Sequence, residues 1–454
     1  MSATDVLLNL VRANRQGEGT GLYSICSAER LVLEAGMAQA LRDGGIVCIE
    51  STCNQVNQLG GYTGMTPQAF RGFVSSVAER MGFPEDRILL GGDHLGPWVW
   101  QREPAESAMA KARELVRAYV HAGYRKIHLD ASMRLADDPG GAGTWLDEVT
   151  VTERAVELCR IAEEAHAELP AGSPAPVYVI GTEVPTPGGE RAEGAAPSVT
   201  RVADVARTLT LARDAFERAS LLGAWERVIA VVTQPGVEFG DEVVFDYEPA
   251  KARMLSSYLE HNWDLVYEAH STDYQTAASL GQMVEDHFAI LKVGPWLTFA
   301  MREALFGLES IERELYAGRE DDLSRLRQTL ETVMLKHPEY WESYYRGSDD
   351  ELRLARAYSY SDRCRYYWPR PGLRDAVARL FRNLCDRPIP LTLLSQFMPD
   401  QYEAVRLGQL APVPQELVRH KLLAVTGAYA TACGLNDVMM SATVRVTESA
   451  AGRR

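Results

Sequence analysis

Eight short runs rich in β-branched and aromatic residues recur along the first two thirds of the chain, and their number and spacing restrict the folds open to it. In order they are "GLYSICS" from Gly21, "GIVCIEST" from Gly45, "RILLGGDH" from Arg87, "KIHLDAS" from Lys126, "VYVIGTEV" from Val177, "VIAVVTQPG" from Val228, "DLVYEAHST" from Asp264 and "AILKVGP" from Ala289. Each ends in a loop of Gly, Pro or polar residues and is followed by a helical pattern such as "AERLVLEAGMAQALRD" or "AMAKARELVRAYVHAG", apolar on one face with a glycine close to the end. Eight strand-helix units suit a (β/α)8 TIM barrel, an α/β fold whose reactive groups gather at the C-terminal ends of the strands. A doubly wound open sheet fits less well, because no Gly-rich dinucleotide fingerprint follows the first strand. The expected division is a barrel over 1–300 and a C-terminal helical extension over 301–454, packed on it. Stretches such as "EDDLSRLRQTLETVMLKH" and "RDAVARLFRNLCD" have helical periodicity without a further strand series. Asp137 to Thr144 and Thr186 to Pro197 read as loops; the second directly follows a strand end, so a surface loop and a lid are both open.

Bulk properties exclude several function classes. With 454 residues, 46% of them hydrophobic, the chain can bury a large core. The net charge of −15 opposes binding to nucleic acid or an anionic membrane. No apolar span of membrane-crossing length occurs, and the N-terminal "MSATDVLLNLVRANRQGEG" reads as an amphipathic helix rather than a signal peptide, so a cytoplasmic protein is expected. Seven cysteines without a CxxC pair indicate neither a disulfide framework nor a cysteine zinc site.

The eight strand ends would share one mouth. They carry Ser24 and Ser27; Glu50, Ser51 and Thr52; Asp93 and His94; Asp130 and Ser132; Glu183; Gln234; His270 and Thr272; Lys292 and Gly294. A single Asp-His pair is usually a satisfied structural histidine. Two histidines with several carboxylates are different, because burying them uncompensated costs several kcal/mol per ion, and a divalent metal resolves the conflict. Asn54, Gln55, Asn57 and Gln58 follow the second strand where apolar periodicity fails, and paired amides suit sugar hydroxyls as well as loop capping. Tyr358, Tyr360, Tyr366, Tyr367 and Trp368 read first as a packing face and second as a cover over the site.

The segments "ESTCNQVNQLGGYTGMTP", "GGDHLGPWVW", "KIHLDASM", "YVIGTEVPTPGG", "QPGVEFG", "EAHSTDYQT", "LKVGPWLTFAMREALF" and "YSYSDRCRYYW" together resemble the Z-type subunit family of class II tagatose-bisphosphate aldolases. That family is similar in turn to the metal-dependent class II fructose- and tagatose-bisphosphate aldolases, and related proteins include metal-dependent ketose 4-epimerases. The resemblance implies that Asp93 moves the proton of the substrate 4-hydroxyl and that His94 and His270 bind a divalent metal. Those enzymes have a further histidine on the sixth strand, where this chain has Gln234. The expected metal set is therefore His94, Glu183 and His270, assisted by Gln234 or water, with zinc, manganese or cobalt as the ion. Asp130 is the second acid-base candidate. Glu50, Asn54, Gln55, Ser271, Thr272 and Gly294 are the expected substrate-binding residues, the last three offering hydroxyls and backbone N–H groups to a hydroxyl or a phosphate. Arg363 and Arg365 are the remaining candidates for a second phosphate.

Three functions follow: a retro-aldol ketose 4-epimerase, a tagatose-bisphosphate aldolase, and a non-catalytic subunit that stabilises a separate aldolase chain. The first is favoured, since so many ionisable strand-end groups are a costly way to build a scaffold. Expected partners are a sugar or sugar phosphate, a catalytic aldolase subunit, and further copies of the same chain.

Overall fold

In a computed structural model, which describes residues 2–140, 146–181 and 197–435, the eight runs form one closed parallel barrel. Its strands are β1 Leu22–Ile25, β2 Val47–Thr52, β3 Ile88–Leu95, β4 Lys126–Leu129, β5 Val177–Ile180, β6 Val228–Thr233, β7 Val266–Ala269 and β8 Ile290–Val293. Each pairs with its sequence neighbours and β8 closes onto β1, so the architecture is a (β/α)8 barrel with C-terminal helices.

Strand alternation explains the two apolar layers. Ile49, Ile127, Tyr267 and Leu291 point outward and pack beneath the surrounding helices. Leu22, Cys48, Leu89, Val177 and Ile290 form a separate inner cluster. The N-terminal helix Ala3–Arg15 adds Leu7 and Val11 to it, closing one end of the barrel. A capping box starts that helix: Asp5 N–H donates to Ser2 Oγ, and Ser2 N–H donates to Asp5 Oδ2 at 2.9 Å. No helix among the described residues is long and apolar enough to cross a membrane.

The helical extension is built onto the barrel. The boundary expected at 300 falls inside the helix Pro295–Leu315, which follows β8 directly. The last described helix, Pro414–Ala432, packs against Arg30–Asp43, Ala277–Glu285 and Pro295–Leu315. From it, Tyr429 Oη donates to the Thr272 carbonyl at 2.8 Å. Asp362 holds the segment around residues 359–368 in place, accepting from Thr298 Oγ at 2.6 Å and pairing with buried Arg302 at 3.0 Å. A short hairpin after β6, Glu238–Phe239 with Val244–Phe245, was not expected, and its Asp241 receives Ser359 Oγ at 2.8 Å. Of the two expected loops, the first is described only as far as Gly140. The second, apart from Pro197, lies outside the described residues.

Candidate active site

Successive residues of a strand face opposite sides, so Asp93 and His94 could not both enter a barrel from regular backbone. The register between β3 and β4 shifts between Gly92 and Leu95, and His94 has a left-handed φ of 50°. This bulge turns both side chains into the mouth. The surrounding glycines are needed for space. A Cβ on Gly91 would lie 2.6 Å from the Glu50 side chain, and one on Gly96 would lie 1.6 Å from the Asp130 carbonyl oxygen.

Three imidazoles meet there. The ring of His94 lies 5.0 Å from that of His128 and 4.9 Å from that of His270, and the last two are 5.4 Å apart. One ligand atom from each of Asp93, His94, His128 and His270 lies within 4.8 Å of the others. Every ring has one nitrogen beside a carboxylate: His94 Nδ1 is 2.7 Å from Asp130 Oδ2, His128 Nδ1 is 2.9 Å from Asp93 Oδ1, and His270 Nε2 is 3.1 Å from Glu268 Oε1. Carboxylates placed this way fix the ring orientation and leave the second nitrogen for a metal. His128 Nε2, buried and without a hydrogen-bond partner among the described residues, fits that role.

Beneath the rings lies a layer of charge. Lys126 Nζ is 2.7 Å from Glu50 Oε1 and 2.5 Å from Glu268 Oε2, while Lys292 Nζ contacts Glu50 and lies 2.9 Å from Asp93 Oδ1. Burial alone would push the Asp93 carboxyl up, but the charges of His94 and Lys292 outweigh it and hold the group well below the usual carboxylate range. Burial pulls His270 down to about 4, leaving it neutral at physiological pH with a lone pair to donate. Across the site four buried carboxylates (Glu50, Asp93, Asp130, Glu268) face two buried ammonium groups (Lys126, Lys292). With all three imidazoles neutral, as ligands to a metal must be, a divalent cation would restore the balance; without one, the Asp93 and Asp130 carboxylates outweigh burial and raise His94 above the ordinary imidazole range.

A cavity of about 80 Å³ opens above this layer. Among the expected site residues it brings together Asp93, His94, His270, Asn54, Gln55, Ser271 and Gly294. Four others do not line it. Glu50 lies below the floor, its carboxylate held by the two lysines. Asp130 accepts from Ser132 N–H at 3.0 Å and Ser132 Oγ at 2.6 Å besides facing His94, which makes it a holder of His94 rather than a free acid-base group. The Thr272 hydroxyl donates to the Lys292 carbonyl at 2.7 Å. The Gln234 amide oxygen accepts from Gly236 N–H at 2.8 Å and Val237 N–H at 3.1 Å, capping its own turn. Gly294 lines the cavity, but its N–H already donates to Asp273 Oδ1 at 3.0 Å, so it is not a free phosphate donor. Glu183 lies outside the described residues.

The sequence reading missed His128, Lys126 and Glu268. Alternation could have found all three, since Lys126, His128 and Asp130 share one face of β4, as Glu268 and His270 share one face of β7.

Residues 7–434 match the family described as D-tagatose-1,6-bisphosphate aldolase subunit GatZ/KbaZ-like. The chain belongs to this family. It is 47% identical to a probable tagatose 6 phosphate kinase from Sinorhizobium meliloti 1021, with a TM-score of 0.82 over 91% of this chain and 100% of that one. It also matches the fructuronate-tagaturonate epimerase UxaE from Cohnella laeviribosi at 12% identity and a TM-score of 0.47, covering 91% of this chain and 81% of that one. A third match is the YdjI aldolase from Escherichia coli K12, at 9% identity and a TM-score of 0.39 over 79% and 94% of the two chains. The GatZ/KbaZ-like assignment rests on the family match and the 47% identical structure.

Proposed function

We propose that this GatZ/KbaZ-like protein is a metal-dependent retro-aldol enzyme that inverts C4 of a ketose or ketose phosphate of the tagatose and fructose type. The observation that carries this reading is the convergence of Asp93 with three carboxylate-oriented imidazoles at the barrel mouth, where Asp93, His94 and His270 line the cavity. His94, His128 and His270 would hold the ion, and three nitrogen donors suit zinc better than the mixed set with Gln234 and Glu183 expected from sequence. A divalent ion there supplies Lewis-acid polarisation at the ketose carbonyl. Asp93, steered by Lys292 and His128, takes the proton of the 4-hydroxyl as the C3–C4 bond breaks and its electron pair passes to the ketone fragment. The cavity walls retain the aldehyde, whose opposite face is attacked on re-addition, and Asp93 returns the proton. Asn54, Gln55 and Ser271 line the same space and present amide and hydroxyl groups to the sugar.

The test uses the chain alone with fructose, tagatose, their 6-phosphates and tagatose 1,6-bisphosphate, with metals added. The expected outcome is interconversion of C4 epimers with little triose release and no solvent deuterium at C4. Rapid triose accumulation from the bisphosphate would move the assignment to aldolase. Inactivity on every ketose, with stabilisation of a separate aldolase chain on mixing, would move it to the non-catalytic subunit that the family description also accommodates. Purified protein should carry about one divalent ion per chain, and His94→Ala or His270→Ala should remove it with the fold retained. Protein grown with zinc, manganese and cobalt but free of metal would refute the site.

A further inference from the structure

Of the carboxyl groups that line the main cavity, Asp93 and Asp273, the proposed chemistry uses only the first. Asp93 stands on β3, whereas Asp273 stands in the loop after β7, beyond His270. In the closed strand order β3 and β7 are half a turn of the barrel apart, so the two residues approach the cavity from opposite sides.

Asp273 is 2% exposed and is fixed through one oxygen. Oδ1 accepts from Gly294 N–H at 3.0 Å and from Trp296 N–H at 2.8 Å, at the start of the helix Pro295–Leu315. Oδ2 receives no hydrogen bond among the described residues, which leaves it to the cavity that Asp273 lines.

The two carboxyls differ in their hold on a proton. His94 and Lys292, the latter 2.9 Å from Asp93 Oδ1, keep Asp93 ionised. No lysine or arginine among the described residues forms an ion pair with Asp273. Burial therefore pushes it up to about 6, against the opposing pull of the two N–H groups and of Arg365, which lines the same cavity from the helical extension. Arg363, by contrast, lies over Tyr344 and does not line the cavity. A carboxyl like Asp273 both takes and gives up a proton near neutrality, as general acid–base transfer requires.

The ketose reading leaves one proton transfer without a carrier. A ketose closes into a cyclic hemiketal when one of its own hydroxyls adds to the C2 carbonyl. The closed ring has no carbonyl to polarise and cannot yield an enediolate, so it must open before C3–C4 breaks. C2 is also the carbon whose oxygen the proposed ion polarises, and Asp273 follows the ligand His270 in one loop.

We propose that Asp273 is a catalytic residue for a second activity of this cavity, the opening and closing of the cyclic hemiketal of a ketose. The Asp273 carboxylate takes the C2 hydroxyl proton on Oδ2. An electron pair of that hydroxyl oxygen forms the carbonyl as the bond from C2 to the ring oxygen breaks, and the electrons of the broken bond stay on the ring oxygen. The carboxyl then returns the proton to that oxygen, so no co-reactant is consumed. The inference rests on the proposed function for the substrate being a ketose, but not for inversion at C4.

The experiment is exchange NMR spectroscopy at equilibrium, which reads ring opening independently of C4 chemistry. The full chain is added to fructose and to fructose 6-phosphate with zinc present, and exchange between the ring forms is compared with that in buffer and zinc alone. The wild-type protein should accelerate exchange in proportion to its concentration. Asp273→Asn keeps an oxygen for the Gly294 and Trp296 N–H groups but loses the proton carrier. It should fold with a similar melting temperature while the acceleration falls about a hundredfold or more. Wild-type exchange equal to the blank for both sugars would overturn the proposal without any variant having to fold. So would full acceleration by Asp273→Asn. Accelerated exchange without any C4 epimerisation would leave this inference standing and remove the proposed reaction; epimerisation with ring exchange no faster than the blank would do the reverse.

Discussion

At the scale of single residues, the site shows how burial and neighbouring charge divide similar groups. Asp93 and Glu268 keep their charge because lysines lie against them, whereas burial pushes Glu29, which precedes the helix Arg30–Asp43, up to about 7 against the milder opposing pull of Arg374. Glu29 ionises near 4.5 in the unfolded chain but near 7 in the folded one. Its contribution to stability is therefore full below about pH 4.5 and lost as pH rises through 7. Glutamine at this position has no proton to lose. The stability of Glu29→Gln relative to wild type, measured by chemical denaturation, should improve by about 1–3 kcal/mol between pH 5 and pH 8. A difference that stays constant across that range would show that Glu29 is solvated in the native state.

At the scale of elements, β3 and its bulge carry the site, and the glycines beside Asp93 and His94 belong to the mechanism of placement. Gly96→Ala would put a methyl group 1.6 Å from the Asp130 carbonyl oxygen, and backbone rather than a flexible side chain would have to yield. Because Asp130 orients His94, the expected result is destabilisation of about 3 kcal/mol together with weakened metal binding, read by denaturation and by metal titration of the surviving folded fraction. Normal metal affinity in that variant would show that the Asp130 contact does not orient the ring. The same element shows what could be read from sequence. Apolar runs with β-branched residues announced all eight strands, because a barrel strand buried on both faces is mostly apolar, its charged residues being confined to paired positions at the site. Asp93, His94 and His270 stood at run ends and were legible for that reason. His128 is less legible, because it stands inside the run "KIHLDAS", two residues before Asp130 on the same inward face of β4. The engagement of Gln234 with its own turn was not legible at all, since an amide in a Gln-Pro-Gly loop suits a ligand and a cap equally well before its hydrogen bonds are known.

At the scale of the whole molecule, the helical extension and the barrel share surfaces that neither could leave exposed. The helix Pro414–Ala432 buries Leu417, Leu422, Val425 and Tyr429 against helices of the barrel, and Tyr429 also hydrogen-bonds the loop after β7. Arg302 and Asp362 form a buried ion pair between the helix after β8 and the segment that carries Arg365. Removing one partner of such a pair typically costs about 3–5 kcal/mol because it strands the other charge. The extension therefore completes the barrel's outer layer while delivering Arg365 to its mouth, and one cooperative unit is the physical consequence. The full chain should melt in a single calorimetric transition, with calorimetric and van't Hoff enthalpies in agreement. A fragment ending at residue 300, cut within the helix Pro295–Leu315 and stripped of the covering helices, should be insoluble or lack a cooperative transition. Two resolved transitions in the full chain, or a soluble fragment with a sharp melt of its own, would show instead that the barrel folds alone and that the extension is a separable addition.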